Sequence, residues 1–211
     1  MNNQRILVLG PHTDDGEWGA GASIARWIRQ GNQLWYPAFS AAEESLLPEL
    51  SSDVFCTEIV EASAELGIAR DNLRVFHHKV RYFPRDRQDL LEEMIRLRRE
   101  IDPTVAVLPS SFDTTHQDHK VISKEGFRAF KRSSILGYET PWNNRKIDLT
   151  FVQEVDEQDM ASKIRAIAAY KLQFFRNSHY EEFIRSLAVQ RGFQVSCRYA
   201  EAYEETRWVA P

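Results

Sequence analysis

Cysteine is almost absent from this chain, with Cys56 and Cys197 the only two in 211 residues. That is too few for a disulfide framework, and the pair lacks the spacing of a thiolate zinc site, so a reducing compartment and two buried thiols are expected. Long apolar runs are missing as well. No stretch approaches the roughly 20 residues of a bilayer span, and MNNQRILVLGPH has one basic residue and too short an apolar run for a signal peptide. The expectation is a cytoplasmic protein without a membrane span. Charge of one sign is not concentrated either: 27 Lys and Arg interleave with 31 Asp and Glu for a net charge of −4, which argues against a nucleic-acid partner. A full G-x-G-x-x-G is lacking around Gly19 and Gly21, so these small residues point to a helix lying close to a sheet rather than to a dinucleotide site.

Hydrophobic residues make up 43% and charged residues 27%, ordinary for a soluble globular chain of a size that one core can serve. Apolar runs alternate with helix-patterned segments. Strands are predicted over 6–9, 33–40, 72–78 and 105–110. Helices are predicted over 20–30, closed by Gly31, over 52–66, closed by Gly67, and over 86–101. Pro37 demotes the second strand towards an edge or a bulge. Successive strand-then-helix units imply parallel pairing with helices on both faces. After residue 131 the pattern changes to strands near 135–139, 149–155 and 196–203, with helices within 157–175 and 180–191. The chain reads as a single α/β domain over 1–211, a Rossmann-like three-layer sandwich with a mostly parallel sheet. Residues 1–131 form its core and 132–211 an elaboration packed on the same domain.

Ligands of such sheets bind outside the carboxyl ends of the strands. GPHTDDGEWGAGAS (10–23) follows the first predicted strand, and SSFDTTHQDHK (110–120) the fourth. His12 and Asp15 are three apart, as are His116 and His119, so each pair can face one point from a helical turn. Two imidazoles and a carboxylate around one ion suit a catalytic zinc, with His12, Asp15 and one of His116 and His119 as ligands. Asp14, beside a ligand, is placed to take a proton from water activated there. A helix start also favours acids, which is the plainer account of Asp14 and Asp15. His77 and His78, without a carboxylate spacing, read as structural or rim residues, and His179 as a surface residue. Arg81 and Arg85 are candidates for holding a phosphate or hydroxyl. Trp142 is a candidate for stacking on a sugar and Tyr138 for reaching the site. Phe174, Phe175, Tyr180 and Phe183 read as packing of the late helices.

LGPHTDDGEWGAGASIARW (9–27) and DTTHQDHK (113–120) resemble the two metal motifs of the PIG-L/LmbE-like deacetylases, with YKLQ (170–173), RGFQ (191–194) and YAEAY (199–203) similar to features of a bacterial carbohydrate deacetylase branch. The resemblance implies His12, Asp15 and His119 as ligands of Zn2+, with another divalent transition metal as the alternative. It implies Asp14 as general base, His116 as the group that stabilises the oxyanion, and Asp118 as the residue that orients His116. It further implies hydrolysis of the acetyl group of an N-acetylglucosamine-type sugar, conjugated to a nucleotide, a lipid or a glycan, to acetate and a free amine. The chain departs from the family where Thr13 and Gln117 stand for prolines and Gly16 for the usual Glu, which raises the question of whether Glu17 takes over that Glu's role. The rival readings are a sugar- or metal-binding protein without catalysis, and a nucleotide-binding α/β protein whose histidines are incidental. Asp14, an acid that binding alone does not need, favours catalysis over the first of these.

Overall fold

The structure, a computed structural model, describes residues 3–45, 54–112, 115–171 and 179–209. The start of the predicted 52–66 helix, Asp113, the end of YKLQ, Phe174 and Phe175 lie outside them. The chain runs β1 (Arg5–Val8), β2 (Gly10–His12), α1 (Asp15–Arg29), β3 (Gln33–Ser40), α2 (Val54–Glu65), β4 (Leu73–Val75), α3 (Arg87–Ile101), β5 (Val105–Pro109) and α4 (Gln117–Ala129). It continues through β6 (Ser134–Tyr138), β7 (Phe151–Val155), α5 (Glu157–Ala168), α6 (Tyr180–Phe193) and β8 (Tyr199–Arg207).

These strands form one eight-stranded sheet in the order β2-β3-β1-β5-β6-β8-β7, with β4 also paired to β3. All pairs from β4 to β6 are parallel, and β8 runs antiparallel between β6 and β7. The period of two along each strand sorts the core. Ile6, Val8, Val105 and Val107 face α1, α2 and α5, whereas Leu7, Leu9, Ala106 and Leu108 face α3 and α4. A third cluster joins Met160 and Ile164 of α5 to Ile184 and Ala188 of α6. Gly31 and Gly67, at φ of 85° and 83°, end α1 and α2 as anticipated, since both positions need left-handed backbone.

The expectation for Pro37 needs correction. β3 lies inside the sheet and the edge is the three-residue β4. Pro37 falls between the residues in register with β1 (33–35) and those in register with β2 (38 and 40), where the missing N–H interrupts the ladder least. The two thiols are half-buried, not buried.

β1 lies between β3 and β5, so the chain leaves β1 to one side of the sheet and later returns on the other. The loops that follow the successive strands β1 and β2 on the one hand and β5 on the other open at a switch point of the kind where α/β sheets bind ligands. No helix among the described residues is long and apolar enough to cross a membrane.

Candidate metal centre and active site

The two motif loops meet at that switch point. His12 closes β2, Asp15 begins α1 and His119 sits in the first turn of α4, all three buried. The Asp15 carboxylate lies between the imidazoles: Oδ2 is 3.0 Å from Nδ1 of His12 and Oδ1 is 3.2 Å from Nε2 of His119. Oδ2 also accepts the backbone N–H of His12 at 2.8 Å, which folds the turn back on itself. Ring nitrogens of His12, His116 and His119 come within 4.8 Å of one another. Three imidazoles and a carboxylate converging in this way are a donor set that fits zinc or a related transition metal.

The electrostatics follow from this crowding. Burial alone lowers the pKa of His12, but Asp15 and Asp118 outweigh it and push it up to about 9. Burial raises Asp15, yet His119 and His12 hold its carboxyl well below the usual carboxylate range. Burial and the adjacent imidazoles of His119 and His12 push His116 down. Nδ1 of His116 accepts the N–H of Asp118 at 3.2 Å, capping α4, and this assigns the proton of the neutral ring to Nε2.

Asp118 departs from its expected role. Its carboxylate does not hold His116 but stands 3.1 Å from Nε2 of His12 and accepts the backbone N–H groups of Arg81 at 2.6 Å and Phe83 at 3.4 Å. It orients His12, because α4 turns its carboxylate inward while His116 meets only its main chain. Asp14 is half-buried at the N-cap of α1, and its side chain makes no capping hydrogen bond. Helix capping therefore does not account for it.

The role of Glu17 is structural and specific. It is fully buried, with Oε2 accepting the Tyr36 hydroxyl at 2.6 Å and Oε1 the Tyr170 hydroxyl at 2.8 Å. Each hydroxyl also lies within hydrogen-bond reach of the Thr13 carbonyl, sharing its single proton between the two acceptors, and the Gly16 N–H donates to the Tyr36 oxygen at 3.0 Å. Burial pushes the Glu17 carboxyl up to about 8. A side chain at position 16 would place its Cβ 2.6 Å from the Tyr36 ring, so the acid that braces the turn stands one residue later. Tyr36 and Tyr170 could not be found from the motifs, although Tyr170 opens the YKLQ stretch.

The remaining candidates separate. Tyr138 is fully buried, donates to the Leu9 carbonyl at 3.1 Å and packs where a Cβ on Gly19 would fall, so it does not reach the site. The Arg85 guanidinium is committed to Asp86 at 2.6 Å and lies over the Tyr82 ring. Arg81 serves the centre through its main chain, at φ of 72°, with its side chain exposed. Gly21 admits the stem of Lys163, which together with Gly19 confirms close packing as the reason for the glycines. His77 pairs with Glu43 at the surface, His78 lies among Phe39, Phe76 and Phe83, and His179 is exposed.

Trp142 is 55% exposed and meets Trp18 edge to face at 5.2 Å; Phe183, 39% exposed, lies 6.3 Å from Trp142. Phe183 is thus surface-facing as well as packed. Thr115, next to His116, donates to Oδ1 of Asn143 at 2.8 Å and ties the Trp142 loop to the second motif.

Residues 7–130 match the sequence profile of the family described as PIG-L: GlcNAc-PI de-N-acetylase. A 1D-myo-inositol 2-acetamido-2-deoxy-alpha-D-glucopyranoside deacetylase of Thermobifida fusca (strain YX) is 26% identical over 181 residues, covering 70% of this chain and 62% of the relative. The chain thus spans about three-fifths of that relative's length. An N,N'-diacetylchitobiose deacetylase from Pyrococcus horikoshii superposes with a TM-score of 0.79 at 19% identity, over 94% of this chain and 82% of the other. A 4-carboxy-2-hydroxymuconate hydratase from Pseudomonas putida KT2440 superposes at 0.77 with 19% identity, over 100% and 98%.

Proposed function

Because the chain belongs to the PIG-L family of GlcNAc-PI de-N-acetylases, we propose that it is a metal-dependent hydrolase that removes the acetyl group from an N-acetylated amino sugar of the N-acetylglucosamine type, releasing acetate and a free amine. The observation that carries this reading is the placement of Asp14. It adjoins a His and Asp donor set and does not cap its helix.

His12, Asp15 and His119 are the proposed ligands, with Zn2+ as the metal and another divalent transition metal as the alternative. Asp15 already lies between both imidazoles, and Asp118 behind His12 is the carboxylate that such ligands use to fix their tautomer. A bound divalent ion supplies Lewis acidity towards the acetyl carbonyl and makes water more acidic. Asp14 takes the proton of the attacking water and returns it to the departing sugar nitrogen. His116 acts as a neutral donor, its Nε2–H directed to the oxyanion, since Nδ1 is occupied by the Asp118 N–H. The Glu17, Tyr36 and Tyr170 bridge holds the Thr13–Gly16 turn and so keeps Asp14 and Asp15 in place.

The hydratase with the same fold favours one second reading, a metal-assisted addition of water to a carbon–carbon double bond. The test separates them. Metal-reconstituted protein and its Asp14→Asn variant are incubated with N-acetylglucosamine conjugates, and acetate and primary amine are measured. Metal-dependent release of both, lost in the variant, supports deacetylation. Fully metallated protein that releases neither, yet hydrates an unsaturated acid, supports the alternative.

A further inference from the structure

We infer that Trp142, with Trp18 and Phe183, forms a specificity platform that takes an uncharged ring attached to the amino sugar, an aryl group or a second pyranose, in preference to a phosphate. The inference rests on the deacetylase reading and narrows its substrate.

The platform borders both motif loops. Trp18 is four residues after Asp14 on α1, hence on the same side of the helix, and its N–H donates to the Asp14 carbonyl at 3.1 Å. Trp142 precedes Asn143, which Thr115 holds beside His116. A group leaving the site on this side therefore meets the Trp142 indole and then Phe183. The exposed faces of Trp142 and Phe183 adjoin each other and Trp18, so they form one aromatic patch and not scattered side chains.

Shape and charge define that partner. The cleft behind the aromatics encloses only about 20 Å³, little more than one water, so a ligand lies on the rings and does not insert a chain between them. The four charged side chains lining the cleft are committed in pairs. Arg191 forks onto Glu139 at 2.9 and 2.8 Å, and Nζ of Lys163 bonds Glu201 at 2.6 Å and the Trp18 carbonyl at 2.7 Å. A phosphate arriving here would lose water without gaining a cation from these pairs. A flat, uncharged ring exchanges apolar surface for contact with the indole.

The test measures kcat/KM of the metal-reconstituted chain for phenyl 2-acetamido-2-deoxy-β-D-glucopyranoside, N,N'-diacetylchitobiose and N-acetylglucosamine 1-phosphate. The ring-bearing substrates are expected to exceed the phosphate by about tenfold or more, and Trp142→Ala to reduce that ratio by about tenfold, with Trp142→Tyr retaining most of it. Whichever ring-bearing substrate loses more identifies aryl or pyranose. A preference of the wild type for the phosphate, or an equal loss on all substrates in Trp142→Ala, overturns the inference. Calorimetric titration with phenyl 2-amino-2-deoxy-β-D-glucopyranoside reads the platform without turnover. If no substrate is hydrolysed, the deacetylase reading fails by itself. Binding weakened about tenfold in Trp142→Ala still upholds the platform, whereas absent binding or binding indifferent to the substitution overturns it.

Discussion

Replacing Tyr36 by Phe removes one oxygen and leaves the ring in place, so its effect measures the bridge over the Thr13–Gly16 turn alone. That hydroxyl bonds Oε2 of Glu17 at 2.6 Å, accepts the Gly16 N–H at 3.0 Å and reaches the Thr13 carbonyl at 3.3 Å. The Thr13 carbonyl keeps the Tyr170 hydroxyl, which leaves two buried groups without a partner. At about 1–3 kcal/mol for each buried orphan, Tyr36→Phe costs roughly 2–6 kcal/mol. Tyr170→Phe strands only Oε1 of Glu17, because Tyr36 still serves Thr13, and costs roughly 1–3 kcal/mol. For a chain of this size each kcal/mol lowers Tm by about 2–4 °C, so Tyr36→Phe should fall by several degrees more than Tyr170→Phe. The two share Glu17 and should not be additive in the double variant. Calorimetry or urea unfolding with metal chelated away isolates the bridge from ion binding. A Tyr36→Phe protein within about 0.5 kcal/mol of wild type, or one more stable than Tyr170→Phe, would show that the Tyr36 hydroxyl does not brace the turn.

Other expectations follow from single contacts. Gly19→Ala puts a Cβ 2.2 Å from the Tyr138 ring in a packed core and should cost at least about 1–3 kcal/mol, read by unfolding. Lys163→Met removes the cation from the buried Glu201 carboxylate, which keeps the N–H groups of Ala22 and Ser23 and the Tyr203 hydroxyl, and should cost up to about 3 kcal/mol, with part recovered in the Lys163→Met/Glu201→Gln double variant; full additivity would contradict a paired role. Asp118→Asn loses the carboxylate behind His12 and should weaken zinc binding by about 10–100-fold in a chelator competition, whereas unchanged affinity would remove Asp118 from support of the ligand. His116→Ala should retain the metal but lose on the order of a hundredfold or more in turnover, and wild-type turnover would exclude His116 from the chemistry.

Much of this molecule is legible in the chain. The alternating apolar and helical patterns, the glycines that end α1 and α2, and the two histidine-bearing loops after neighbouring strands are local features, governed by backbone conformation and side-chain period. The proposed ligands His12 and Asp15, and the pair His116 and His119 from which the family resemblance selects His119, are likewise offered by short spacings. What spacing cannot convey is which long-range partner each side chain meets. Asp118 adjoins His116 in sequence, yet its carboxylate serves His12, because the α4 backbone decides which way each residue points. Tyr138 is an aromatic near a loop, but β6 directs it under α1. Tyr36 and Tyr170 lie 19 and 153 residues from Glu17, and only the sheet and the packing of α5 bring their hydroxyls to one buried acid. Local period and spacing set the elements and put ionisable side chains at their ends. The pairings come from the packing of distant segments, since burial in a shared core forces each polar group to find whichever partner the packed chain places within reach.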